Sequence, residues 1–165
     1  MEKWSTFAEI AGSAAAALTG LLFVAVSIPI GVIGKSQELR NRAAQTLALF
    51  VTVLCVGILL SIPDQSFRIL GIELVALAVI TAVAMLVWVD GPGPAPDPRD
   101  DTAHALASIL EVVAPNTVTS ILLLIAGLLL VFGLGAGLDV LVLPVLVALA
   151  GGIVSAWLLL TKILQ

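Results

Sequence analysis

The chain has 165 residues, 61% of them hydrophobic and 11% charged, with a mean hydropathy of +1.22 and a formal net charge of −4. Water-soluble domains carry about a quarter charged residues, so this composition excludes a soluble globule, which would expose apolar surface it has no means of burying. No nucleic-acid partner is expected.

Five apolar runs dominate, at residues 10–33, 43–62, 69–89, 117–137 and 140–161. A bilayer core of roughly 30 Å is crossed by about 20 apolar helical residues, and each run reaches that length. The runs are continuous and rich in Leu, Val and Ala, without the short alternation of barrel strands. The expected fold is an all-α polytopic membrane protein with five transmembrane helices plus one interfacial amphipathic helix.

The first residues hold Glu2, Lys3 and Glu9, not a basic cluster. The run after them is too long for a signal-peptide core, so it reads as a retained first helix. Along it, Glu9, Ser13, Ala16, Gly20, Phe23 and Ser27 recur at steps of four and three, which places small and polar residues in one stripe. Gly12, Ala16 and Gly20 also form two overlapping small-xxx-small steps, the pattern that lets helix backbones approach closely. The stripe is either a packing seam or a pore-lining face on which Ser13 and Ser27 offer oxygens to an ion. Pro29 predicts a kink or helix end near Ser27.

The lone Cys55 lies in the second run and reads as a small packing residue. That run ends at Ile62-Pro63, with Asp64-Gln65-Ser66 as a tight connection. Glu73 falls four residues into the third run. A charge at the bilayer centre costs about 2.5–3.5 kcal/mol on insertion scales, so an acid here is a functional candidate, either reaching water or pairing with Arg68.

Residues 90–102 are rich in Gly and Pro and read as a solvated linker between a three-helix part, 1–89, and a part comprising the interfacial helix and two spans, 103–165. The whole chain is read as a single membrane domain. Leu106, Ile109, Leu110 and Val113 put one apolar face on 103–114, with His104, Ser108 and Glu111 opposite, and Pro115 is expected to break this helix before the fourth span. The last span carries a small patch at Ala148, Gly151, Gly152 and Ser155, read as packing.

Five spans place Lys35, Arg40, Arg42, Arg99 and Lys162 on one side, and Lys3 and Arg68 on the other. Positive charge favours the cytoplasm, so the N-terminus is expected outside and the C-terminus inside. Trp4 would then anchor the outer interface, with Trp88 and Trp157 at the inner one. The outer set of charges sums to −3 and the inner to −1, an acidic outer mouth that would concentrate cations.

His104 is the only histidine and has no Cys or His neighbour, so no metal and no cofactor are expected. No serine in the spans has a histidine beside it, so no enzyme is expected. The stretch Ala11–Ile28, followed by Arg42-Ala-Ala-Gln-Thr46-Leu and Ile62-Pro63-Asp-Gln65, resembles a group of small bacterial inner-membrane proteins, some labelled modulator of FtsH protease. The resemblance covers the first half of the chain and implies a bacterial inner-membrane location and a regulatory role.

Together these features point to a homo-oligomeric cation channel or transporter, with Glu9, Ser13, Ser27 and Glu73 as ion-interacting candidates. The alternatives are an accessory protein that binds another membrane protein, and a lipid-binding or scrambling protein.

Overall fold

The computed structural model describes residues 2–28, 36–89 and 102–163, with side chains described for 4–28, 36–37, 39–84 and 115–161. The expected kink at Pro29, the linker at 90–101, the Trp88 side chain and the amphipathic faces of 103–114 lie outside what is described. The described residues form five α-helices: α1 (Glu2–Ser27), α2 (Gln37–Leu60), α3 (Phe67–Val89), α4 (Thr102–Val131) and α5 (Ala136–Ile163). In lipid every backbone polar group must be satisfied internally, and a helix does this within one segment.

By length and composition α1, α2, α3 and α5 can each cross a membrane, at Trp4–Ser27, Leu39–Leu60, Phe67–Ala84 and Ala136–Thr161. The described apolar part of α4 is shorter, Pro115–Val131. Two expectations about α4 are corrected. Pro115 lies inside a continuous helix instead of breaking it, so 102–114 and the fourth span are one element. Such prolines are tolerated in membrane helices because neighbouring helices and local adjustments make good the freed backbone groups. In addition, α4 ends at Val131, before the expected boundary at 137. Gly133 stops it with φ +77°: the Gly133 N–H donates to Leu130 O and the Leu134 N–H to Leu129 O, both at 2.9 Å. This paired closure with a left-handed glycine is the Schellman end of a helix.

Serines open the two helices before it. The Ser36 Oγ accepts the Leu39 N–H, and the Ser66 Oγ accepts the Ile69 N–H, each at 3.4 Å. Asp64 takes φ +54° in the α2–α3 turn, a conformation that aspartate tolerates.

Helices α2 to α5 form an up-and-down ring in which α3 packs on α4, α4 on α5, and α5 returns to α2. The parts before and after the linker therefore share one core, which holds Leu49 and Val53 of α2, Leu70 and Leu74 of α3, Leu123 of α4 and Leu141 of α5. Helix α1 lies outside the ring against α2, with a minor contact to α5. Its apolar window is 17% buried against 56% for α2, which marks it as the peripheral helix. The odd number of helices puts the start of α1 and the end of α5 at opposite ends of the bundle.

Candidate functional site

Helix α1 presents two distinct faces. Ala8, Ala11, Ala15 and Leu22 are buried. Glu9, Ser13, Ala16, Gly20, Phe23 and Ser27, the whole polar and small stripe, are exposed. The seam inside the protomer is thus the alanine row, and the stripe points away from it. Gly12 stands at the edge of the seam, where its backbone meets Gly57 of α2. Nothing lies within 4 Å of a Cβ built on Gly20. The Ser27 Oγ donates to Phe23 O at 2.6 Å, which keeps its lone pairs free to accept.

Three of the stripe residues, Glu9, Ser13 and Ala16, border a cleft of about 530 Å³ between α1 and the end of α2. Glu9, Ser13 and Ser61 supply its polar lining, and Leu54, Ile58 and Ile62 much of its apolar wall. The Ser61 Oγ donates to Gly57 O at 2.8 Å.

Glu73 sits apart from this face. It is half-buried on α3, and its Oε2 accepts the Gln65 Nε2 at 2.5 Å. The partner is a glutamine of the α2–α3 turn, whereas Arg68 is exposed. Glu9 and Glu73 share an end of the bundle, but α1 packs chiefly on α2. Among the described side chains that end carries Glu9, Asp64, Glu73 and Asp139 against Arg68, and the opposite end carries Arg40 and Arg42.

The remaining candidates occupy contacts between helices or the periphery. A Cβ on Gly152 would stand 2.4 Å from the Phe50 ring of α2, and one on Gly151 would stand 2.5 Å from the Pro115 ring of α4. Ser155 is half-buried one turn on. Trp4 packs edge-on against Phe7, with ring centroids 5.8 Å apart. Trp157, 68% exposed near the opposite end, borders an apolar groove of about 250 Å³ between α1 and α5.

The ring also buries polar residues that periodicity alone does not single out: Gln45, Thr46 and Thr52 on α2, and Asn116 and Thr119 on α4. Thr46 and Thr52 donate back to Arg42 O and Ala48 O, at 2.9 and 2.8 Å. The Gln45 Oε1 and Thr119 Oγ1 are buried without a hydrogen-bond partner. Thr81 and Ser120 link α3 to α4 at 3.3 Å. The available signal was a polar side chain inside an apolar run, which marks a helix contact or a polar path.

Among the described residues no group of three or more His, Cys, Asp or Glu side chains converges to hold a metal. The chemistry on offer at α1 is that of acceptors, one carboxylate and several hydroxyl oxygens, and suits holding a cation or an N–H donor. No protein-family model, curated protein or solved structure matches the chain.

Proposed function

We propose that this integral membrane protein assembles from several copies through α1 and conducts or transports cations along the contact. One observation carries the reading: all six residues of the Glu9–Ser27 stripe face outward from the protomer. Leu, Val and Ala dominate the ring interior, with Gln45, Thr46, Thr52, Asn116 and Thr119 as its buried polar residues, so an aqueous path fits better between copies than within one. Hydroxyls and a carboxylate on a lining helix replace part of an ion's hydration shell. The acidic end that includes Glu9 would raise the local cation concentration. No catalytic role is proposed. The location that fits is the bacterial inner membrane, with Glu9 at the outer side.

The test is K⁺, Na⁺ and H⁺ flux into liposomes that hold the purified protein. Selective cation flux, reduced in Glu9→Gln, is the expected result. Flux no greater than that of empty liposomes would remove conduction.

A second reading is an accessory protein that docks α1 onto another membrane protein. The peripheral seat of α1 favours it, and the resemblance to proteins labelled as protease modulators agrees. Ala16→Leu would then abolish recovery of the partner in a pull-down while the bundle stays folded, because Ala16 is exposed.

A further inference from the structure

The cleft between α1 and α2 has two chemically different ends. Leu54, Ile58 and Ile62 make an apolar wall, and Glu9, Ser13 and Ser61 make a polar rim. Glu9 is the one charged residue in the lining. Ser61 has committed its proton to Gly57 O, so its oxygen is left to accept. A carboxylate beside hydroxyl oxygens complements a cation that carries several N–H donors. The lining contains no aromatic ring, the surface on which quaternary ammonium groups are commonly held.

The depth of the rim is also defined. The apolar span of α1 starts at Trp4, and Glu9 stands about 7.5 Å further along at 1.5 Å per residue. Ser61 caps the end of α2. The rim thus lies where headgroups meet acyl chains, and Leu54 reaches about 10 Å deeper than Ser61.

We infer that this cleft seats an aminophospholipid, its primary ammonium on Glu9 and Ser61 and one acyl chain along Ile58 and Leu54. Charge complementarity selects the ammonium, because Glu9 is the one charged residue of the lining and no basic side chain lines the cleft. A headgroup with net negative charge and no ammonium meets Glu9 as a like charge. The inference goes beyond conduction and does not rest on it, since the cleft belongs to a single protomer. Glu9, Ser13 and Ala16 also lie on the outward stripe, so the lipid borders the contact between copies at this end of α1.

The experiment is native mass spectrometry of the full chain released from mild detergent. It is equilibrated with phosphatidylethanolamine, its mono- and dimethylated forms, phosphatidylcholine and phosphatidylglycerol, all with identical acyl chains. Methylation removes donors one at a time while the positive charge stays. Retention is expected to fall along that series, with ethanolamine about tenfold above choline, the scale of one charge-assisted hydrogen bond. Glu9→Gln levels the series, and Ile58→Gln, at an exposed wall position, lowers the retention of every lipid. Circular dichroism confirms that both variants stay helical. Equal retention of the ethanolamine and choline lipids, or an unaltered order in Glu9→Gln, overturns the proposal. So does displacement of the lipid by free ethanolamine at equal concentration, or a second copy of the chain appearing in place of bound lipid.

Discussion

Gly12 and Gly57 meet backbone to backbone where α1 crosses α2, and the crossing is asymmetric. A Cβ on Gly57 would stand 3.0 Å from Gly12 Cα and 3.1 Å from Ala8 O, whereas one on Gly12 would meet nothing closer than 3.8 Å. Backbone atoms cannot turn aside as a side chain can, so a methyl at Gly57 has to push the helices apart. Close backbone approach is what holds membrane helices together when lipid removes the hydrophobic drive. Gly57→Ala is therefore expected to destabilise by about 1–3 kcal/mol, the usual cost of overpacking. Gly12→Ala stays within about 0.5 kcal/mol. Thermal unfolding in detergent measures both, and equal losses would contradict this crossing.

Gly152 and Phe50 make a different kind of contact between α5 and α2. The atom nearest to a Cβ on Gly152 is Cε1 of the Phe50 ring, at 2.4 Å. Phe50 is fully buried, so the ring has little room to swing. Gly152→Ala should cost about 1–3 kcal/mol by overpacking. Phe50→Leu should cost about 1 kcal/mol alone but recover much of the Gly152→Ala loss, because the smaller side chain vacates the methyl's volume. A double-mutant cycle reads this directly. Strict additivity would mean that the two positions do not touch.

The sequence carried the apolar helices and their order because lipid leaves the backbone few options, and α1 ends at Ser27, where Pro29 led the helix to be expected to end or kink. The continuity of α4 through Pro115 was not legible in it. The rule that proline breaks helices is calibrated in water, and here the ring rests against Gly151 of a neighbouring helix. The end at Gly133 was hidden in an apolar run, since only its backbone dihedral marks the stop. The stripe on α1 followed from its period. Which face turned inward did not, because Ala8-Ala11-Ala15 and Ser13-Ala16-Gly20 are both rows of small residues. Gln65 escaped notice because its contact with Glu73 is made by the turn, across eight positions of sequence.

That contact yields a third prediction. Gln65→Leu leaves the half-buried Glu73 carboxylate without its described donor, at a cost of about 1–2 kcal/mol in stability. Glu73→Gln keeps a hydrogen-bonding pair and should be milder. The double variant Gln65→Leu, Glu73→Leu replaces both polar groups with apolar ones and should recover much of the loss. Unfolding in detergent ranks the three. If Gln65→Leu is as stable as the parent, the pair carries no weight. If the protein conducts at the α1 stripe as proposed, cation flux should also be unchanged in Glu73→Gln, since Glu73 sits apart from the stripe, and a drop there would favour a path at α3 instead.

The outward stripe can be mapped by chemistry that depends on the face alone. Cys55 is half-buried and is the only cysteine, so Cys55→Ser provides a background free of thiols. Ala15 and Ala16 are neighbours on α1, the first fully buried against the bundle and the second exposed. A disulfide forms only when the two Cα atoms come within about 4.4–6.8 Å, a distance that small residues permit at a helix contact. If copies meet through the stripe, Ala16→Cys should give an oxidised dimer on a gel from membranes, and Ala15→Cys should stay monomeric. Gly20→Cys, one turn along the same stripe, should behave like Ala16→Cys. A dimer from Ala15→Cys, or none from either stripe position, would mean that α1 does not face its own copy. The accessory reading would then be the stronger, because the stripe would be left uncovered by its own copy.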